Sequence, residues 1–582
     1  MKHWKSGKLI LGMLSAAALT AFGAGSVLAS QAGAAAETTA ETTAETAAEV
    51  LPAIVVKARL TSCEITSDKQ NISISGSYEG EMTGTDGNFY LFELQPFESG
   101  VGSRTDYFQT IAHGQSLSAQ LPFNWGANKD RVYNRFVVTV WDTEKQAYTE
   151  VSEPHYITNP ELVAANQNAF PSSQTKKGLR MEVTLLDDAM ELGVKHAGVD
   201  ILFQQILGPG IEYNYNGKTY HFNQAVMADY DKTISAMSAK GIIITAVILN
   251  GWSDDVPALH YPGATRQAGT NHFMFNVETQ EGYELTRATA AFLAERYNGS
   301  NHNYGTINNW VIGNEINNQK VWNYAGPMDL ATYVDTYQKA FRVFYTAIKT
   351  TAANDRVYYS LDFHWNNPNE IDGKLQYAAK DVVDTFNAQV RSQGQMDWGL
   401  AYHPYSYPMS EPEFWDDPQS GLLNDTHESP IINFANLGVL TDYFTQDVLR
   451  DSKGQVRHII LTEQGFSSTS HSRGDVPYIQ AAAFAYSYYI VDSNPYIDSY
   501  LLSRQVDAPA EVRTGLTFGL WSCYMDQGDH IVAFQRRKIW QVFKHIDKQN
   551  STLANTEFAK EIIGIEKWSD VVPNFKWSRQ EN

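Results

Sequence analysis

Cysteine is almost missing from this sequence: Cys63 and Cys523 are the two in 582 residues. That excludes a disulfide-stapled small fold and a cysteine-built metal site, which need several cysteines at short spacing. The two lie far apart, and Cys523 sits in an apolar-aromatic run (Trp521-Ser522-Cys523-Tyr524), so one disulfide and two separate buried thiols both remain open. Positive charge is scarce too, with 44 Lys and Arg against 65 Asp and Glu, a net charge of −21. No basic cluster appears, which counts against nucleic acid as a partner because phosphate contacts need one. No Gly-x-Ser-x-Gly elbow and no His-Glu-x-x-His helix is present, which argues against an esterase or a zinc hydrolase. No metal and no organic cofactor is expected. Past the first residues no apolar run approaches the roughly 20 residues of a membrane span.

The chain does hold 43% hydrophobic residues, enough for a large core, and 12% aromatics with 13 Trp and 32 Tyr. Rings stack on the apolar faces of sugars and equally fill cores. Lys2, Lys5 and Lys8 precede the apolar stretch Leu9 to Phe22 and the small-residue site Val27-Leu28-Ala29. This pattern predicts a signal peptide over 1–29, a secreted protein, and no membrane contact after cleavage. An uncleaved leader would instead hold it at the cell surface. Residues 30–50 form a low-complexity Ala/Glu/Thr tether.

Period-two runs such as Asn71-Ile72-Ser73-Ile74-Ser75 and Phe136 to Val140, divided by turns such as Gly84-Thr85-Asp86-Gly87, predict a small β-sandwich-like domain over 51–165. It either braces its neighbour or binds carbohydrate. From 175 to 582 short apolar runs alternate with long amphipathic ones. The expected strands are Leu179–Thr184, Val199–Phe203, Ile242–Leu249, Asn309–Ile312, Val357–Asp362, Trp398–Tyr402, His458–Thr462 and Ser499–Ser503. Helical stretches such as Ala225–Ala239, Glu284–Tyr297, Leu330–Thr350 and Leu437–Leu449 separate them. Eight such units predict the α/β class and a (β/α)8 TIM barrel, with a helical C-terminal extension through Ile539–Phe543 and Phe558–Ile562.

Barrel enzymes keep their chemistry at the carboxyl ends of the strands. Here strand three ends in Asn250-Gly251-Trp252, strand four in Asn314-Glu315, and strand five in Asp362-Phe363-His364-Trp365. Strand six ends in His403-Pro404-Tyr405, strand seven in Glu463-Gln464, and strand eight in Arg504. Strands four and seven face each other across an eight-membered ring. Glu315 and Glu463 therefore supply the two carboxylates that glycoside hydrolysis needs, one protonated and one ionised. Trp252, Trp322 and Trp365 are candidate sugar platforms, and Asn250, Asp362, His364 and Arg504 candidate hydroxyl binders.

Asn314-Glu315, the second glutamate at strand seven and the His403-Pro404-Tyr405 triplet resemble clan A of the retaining glycoside hydrolases, the 4/7 superfamily, in a little-characterised secreted branch. The resemblance spans about 178–510. It implies that Glu315 is general acid/base, Glu463 nucleophile, Asn314 a ligand of the sugar 2-hydroxyl, Tyr405 a donor to Glu463, and His403 a lining of the adjacent subsite. Two positions depart from the clan pattern: Gln204-Gln205-Ile206-Leu207 stands where many members carry an arginine, and Arg504 where many carry a tryptophan. The substrate implied is an extracellular poly- or oligosaccharide. Two other classes compete, a noncatalytic carbohydrate-binding protein on a barrel scaffold and an esterase-like hydrolase. The two glutamates weigh against the first, the missing motifs against the second.

Overall fold

The computed structural model describes residues 54–575 apart from 128, 368, 370 and 549–553; the predicted leader and tether lie outside the described residues. Eight parallel strands close into a barrel: Lys177–Arg180, His196–Leu202, Ile243–Leu249, Asn309–Ile312, Arg356–Asp362, Trp398–His403, Ile459–Gln464 and Ile497–Leu502, the last pairing with the first. Each strand is buried on both faces, by the barrel interior and by the outer helices, which is why Ile243–Leu249 is apolar or small at every position and buried throughout. Leu202, Val247, Leu249, Val311, Tyr358, Ala401 and Ile460 fill the interior, in layers set by pairings such as Val247 with Val311 and Ala401 with Ile460.

The helices start where the sequence supplies caps. The Asn223 side chain accepts from the Ala225 and Val226 amides ahead of Gln224–Ser238, Thr279 caps Gln280–Arg296, and Asp329 caps Leu330–Lys349. The helix expected over 437–449 stops at Tyr443 and resumes as a tighter turn at Asp447–Leu449. The Thr445 hydroxyl and the Gln446 amide donate to the Asp442 and Tyr443 carbonyls and take over the end of the helix. The first strand ends at Arg180, four residues before the apolar pattern does, because Glu182 donates its amide to the Gln505 side chain and the chain turns there. The helix that follows has only six residues, Leu186–Glu191.

Ahead of the barrel lie two antiparallel sheets. Lys57–Ile65, Asn71–Glu79 and Ser118–Pro122 form one. Gln109–Ala112, Thr85–Leu94, Arg135–Asp142 and Ala147–Glu150 form the other, with His155–Tyr156 paired to Arg135–Asp142. Their apolar core continues into that of the barrel. The seam is sealed by cations on rings: the guanidinium of Arg342, on a barrel helix, lies 4.5 Å from the centre of the Tyr156 ring, and that of Arg287 lies 5.2 Å from Tyr133. Cys63 and Cys523 are both free and buried, so the disulfide is not made.

Candidate active site

At the end of the fourth strand Gly313 takes φ +78°, and Glu315 itself sits in the left-handed region at φ +37°. For a residue with a Cβ this backbone costs on the order of 1 kcal/mol and persists only where its surroundings impose it. They do so here. The Glu315 amide donates to Ser360 Oγ at 2.7 Å, the Ile316 amide to the Ser360 carbonyl at 3.0 Å, and the Asn318 amide to the Glu315 carbonyl at 2.8 Å. The neighbouring strand thereby aims the Glu315 carboxyl at the mouth. On the seventh strand Glu463 is followed by Gln464-Gly465. A Cβ at Gly465 would collide with the Ser503 carbonyl, so only glycine lets the seventh and eighth strands approach so closely.

Strand six joins the two carboxyls. His403 Nδ1 lies 2.8 Å from Glu315 Oε1 and its Nε2 lies 2.9 Å from Thr462 Oγ1, beside Glu463. The Tyr405 hydroxyl donates to Glu463 Oε1 at 3.1 Å. His403 is thus the direct partner of Glu315, and not merely the lining of a subsite that the clan resemblance implied.

The electrostatics separate the two glutamates. Burial raises the Glu315 carboxyl above the ordinary glutamate value; His403 opposes this, while the negative charges of Asp362 and Glu463 add to it. Burial acts on Glu463 in the same direction. There, however, the charges of His403, Arg180 and Arg504 and the Tyr405 hydrogen bond outweigh it and hold the carboxyl below the ordinary value. His403 is lowered by burial but raised further by its contact with Glu315 and by the Glu463 charge, with a net rise. One carboxyl is thus disposed to hold a proton and the other to stay ionised in the same mouth.

The remaining predicted residues divide. Asn314 is nearly buried beside Glu315, and its amide has no hydrogen-bond partner among the described residues. Asp362 is no free hydroxyl binder. It accepts from Asn317 Nδ2 at 2.6 Å and from the His364 amide at 2.9 Å, and His364 Nδ1 lies 3.0 Å from its other oxygen. His364 is half-buried against it. Asn250 is spent on the loop after strand three, donating to the Leu259 and Met274 carbonyls at 3.0 and 3.4 Å. Trp365 is not a platform: it is fully buried, donates to the His427 carbonyl at 2.9 Å and meets Tyr443 edge-on. Trp322 is buried against His272. Trp252 remains half-exposed on the rim, with one face stacked on His260 at 4.4 Å and its indole N–H on Asp254. Arg504 is buried and pairs with Glu511 at 2.8 Å, so it reaches Glu463 as a charge and not as a sugar ligand.

Arg180, Asp200 and Thr462 belong to the site and were not singled out by the sequence reading. Arg180 Nη2 bridges both Asp200 oxygens at 2.6 and 2.5 Å and points its charge at Glu463. The signal was there in a bare cation and a bare carboxylate inside apolar strand runs. Among the described residues no three His, Cys, Asp or Glu side chains gather as a metal set.

The fold and rim define a (β/α)8-barrel protein with two half-buried glutamates, of opposite protonation tendency, at the end of strands four and seven. The chain belongs to DUF5722, a family of unknown function, whose model matches residues 169–571. No curated protein matches the sequence. Among solved structures it is similar to a family 39 glycoside hydrolase of Bacteroides cellulosilyticus, at 15% identity and a TM-score of 0.41 over 85% of this chain and 83% of that one. A family 1 β-glucosidase of Thermotoga maritima matches at 14% identity and TM-score 0.36, over 64% of this chain and 85% of its own. A β-glucuronidase of Bacteroides uniformis matches at 9% and 0.36, over 84% of this chain and 49% of its own. At these overlaps none of the three transfers a substrate or a residue role.

Proposed function

We propose that this protein is a secreted glycoside hydrolase that cleaves an extracellular poly- or oligosaccharide with retention of configuration. The observation that carries the reading is the pair Glu315 and Glu463, brought to one barrel mouth with their proton affinities driven apart. In the first step a Glu463 oxygen attacks the anomeric carbon. The glycosidic C–O bond breaks, and Glu315 gives its proton to the departing oxygen. In the second step water attacks the glycosyl ester. Glu315 takes the water's proton, and Glu463 leaves as a carboxylate. Tyr405 holds the attacking carboxylate in place, and His403, in hydrogen-bond contact with Glu315, keeps that carboxyl aimed at the departing oxygen. The N-terminal leader pattern supports an extracytoplasmic substrate.

The test is hydrolysis of a broad panel of aryl glycosides and polysaccharides by wild type and Glu463→Ala, with the anomer first released followed by NMR. Turnover that collapses in the variant, with the substrate's own anomer formed first, is the expected result. The opposite anomer would refute retention. Glycan binding without turnover in either protein would establish the noncatalytic reading.

A further inference from the structure

The loop that follows the last barrel strand, Ile497–Leu502, has its foot in the catalytic machinery. The Ser503 amide donates to the carbonyl of Gln464, the neighbour of Glu463, at 2.8 Å. Farther along the loop Phe518 packs on the ring of Tyr405, the residue that donates to Glu463. The Leu520 and Trp521 amides then donate to the Arg504 and Gln505 carbonyls at 3.1 and 2.9 Å, and the chain leaves as a hairpin, Trp521–Cys523 paired with Ala533–Arg536. The hairpin is anchored on its inner side, where Trp521 Nε1 donates to Asp188 Oδ2 at 3.0 Å and Cys523 is buried. Six positions separate Phe518 from Tyr524, a span of at most about 20 Å. The hairpin thus stands on the rim of the mouth that holds Glu315 and Glu463.

Its other side is apolar and uncovered. Tyr524, Met525, Val532 and Phe534 are 42, 46, 41 and 52% exposed. They are four of the ten exposed large hydrophobics among the described residues, gathered within eleven positions, whereas scattered ones would call for no explanation. The Tyr524 amide donates to the Val532 carbonyl at 2.9 Å, and the Tyr524 and Phe534 rings lie 4.7 Å apart across the hairpin.

The patch's size, charge and place choose among occupants. Buried aromatics cover about 150–250 Å² each, so four side chains about half exposed offer roughly 300 Å². A stable subunit contact needs about 800 Å² on each partner. The turn at the tip carries Asp526 and Asp529, which an anionic lipid surface repels. A sugar chain meets neither obstacle: its rings stack on Tyr524 and Phe534, and the exposed amides of Gln527 and Gln535 in the same hairpin suit its hydroxyls. We propose that Tyr524 and Phe534 form a platform for sugar units lying beyond those held at the two glutamates, and so give the protein a preference for long chains over short ones. The assignment rests on the hydrolase reading above, which makes the mouth the place where a sugar chain is held.

The experiment has two arms on the full chain. In the first, affinity electrophoresis runs Glu463→Ala, with and without the added pair Tyr524→Ala and Phe534→Ala, through gels cast with xylan, laminarin, galactomannan or soluble starch. At least one polysaccharide should retard the protein that keeps the rings, and removing them should weaken the retardation about 10-fold with an unchanged thermal melt. Retardation by none of the four, or equal with and without the rings, overturns the platform. A dimer in light scattering, or binding to phosphatidylglycerol vesicles, that disappears with the rings gives the patch another partner and overturns it too. In the second arm, wild type and the Tyr524→Ala, Phe534→Ala protein are compared on the same polysaccharides and on 4-nitrophenyl glycosides. The ratio of polysaccharide to aryl glycoside turnover should fall by a similar factor. Polysaccharide cleaved equally well by both proteins sinks the platform and leaves the hydrolase standing. Retardation that needs the rings, with no turnover by wild type, sinks the hydrolase and leaves the rings as a glycan-binding surface.

Discussion

Removing the Tyr405 hydroxyl isolates one hydrogen bond in the site. The ring is buried at 4% exposure and packs on Phe518 with centroids 5.8 Å apart, so Tyr405→Phe keeps the packing and deletes only the donor to Glu463 Oε1. A hydrogen bond to a charged acceptor contributes about 1.5–3 kcal/mol. If all of it favoured the ionised form, the Glu463 pKa would rise by about 1–2 units at 1.36 kcal/mol per unit. Burial already pulls that way, while the charges of His403, Arg180 and Arg504 remain to resist it, so the lower end is expected. The sign follows from the proposed mechanism: there Glu463 works ionised, so a higher pKa moves the acid limb of kcat/KM upward by about one unit. The alkaline limb belongs to the protonated Glu315, whose carboxyl Tyr405 does not touch, and should stay put. On the plateau kcat/KM should fall at least about tenfold as the nucleophile loses its orientation. The assay is kcat/KM against pH for both proteins, with a thermal melt alongside. An unmoved acid limb with undiminished kcat/KM would refute the reasoning, and so would movement of both limbs together.

Trp365→Ala tests whether that ring belongs to the core: it should lower stability by about 3–5 kcal/mol and depress the melting temperature without raising KM, whereas an intact melt with a raised KM would return the ring to the substrate. Asp355 is buried beside Trp310, which donates to it at 3.1 Å, and burial raises its carboxyl to about 7, opposed by that hydrogen bond and by Lys349. A raised folded-state pKa gives stability that is fully present below the unfolded value near 4 and is lost as pH rises through about 7. Asp355→Asn cannot ionise, so its stability relative to wild type should improve between pH 5 and pH 8, by about 2–3 kcal/mol. Denaturant melts at the two pH values check this, and a constant difference would refute it.

Much of the barrel was readable because each buried strand writes a continuous apolar run. Asn309–Ile312 was read to the residue, and both glutamates lie at the strand ends the pattern marked. What escaped were residues whose meaning depends on a partner far along the chain. Arg180 was absorbed into an expected strand over 179–184, since its strand stops early only through the distant Gln505 side chain. Asp200 is explicable only with Arg180 opposite it. Trp365 and Asn250 stand at strand ends just as site residues do, and their neighbours turn them away: the loop around His427 encloses the indole, and the loop carrying Leu259 and Met274 takes the amide. Periodicity reports which face a strand buries, not which polar group at its end a returning loop will occupy.

The continuous core between the sheets and the barrel ties the stability of one to the packing of the other. Arg342 is 4% exposed only because Tyr156 and its neighbours lie over it, and Arg287 is sheltered in the same way by Tyr133. Stripping the sheets would leave charged groups on apolar ground that evolved to be covered, on the side of the barrel that carries the helices Gln280–Arg296 and Leu330–Lys349. From the second of them the Tyr337 and Tyr333 hydroxyls donate to the Ile312 and Ile316 carbonyls, on either side of Glu315 at the end of the fourth strand. The expected consequence is that damage to the sheets is felt at Glu315, far from where the damage falls.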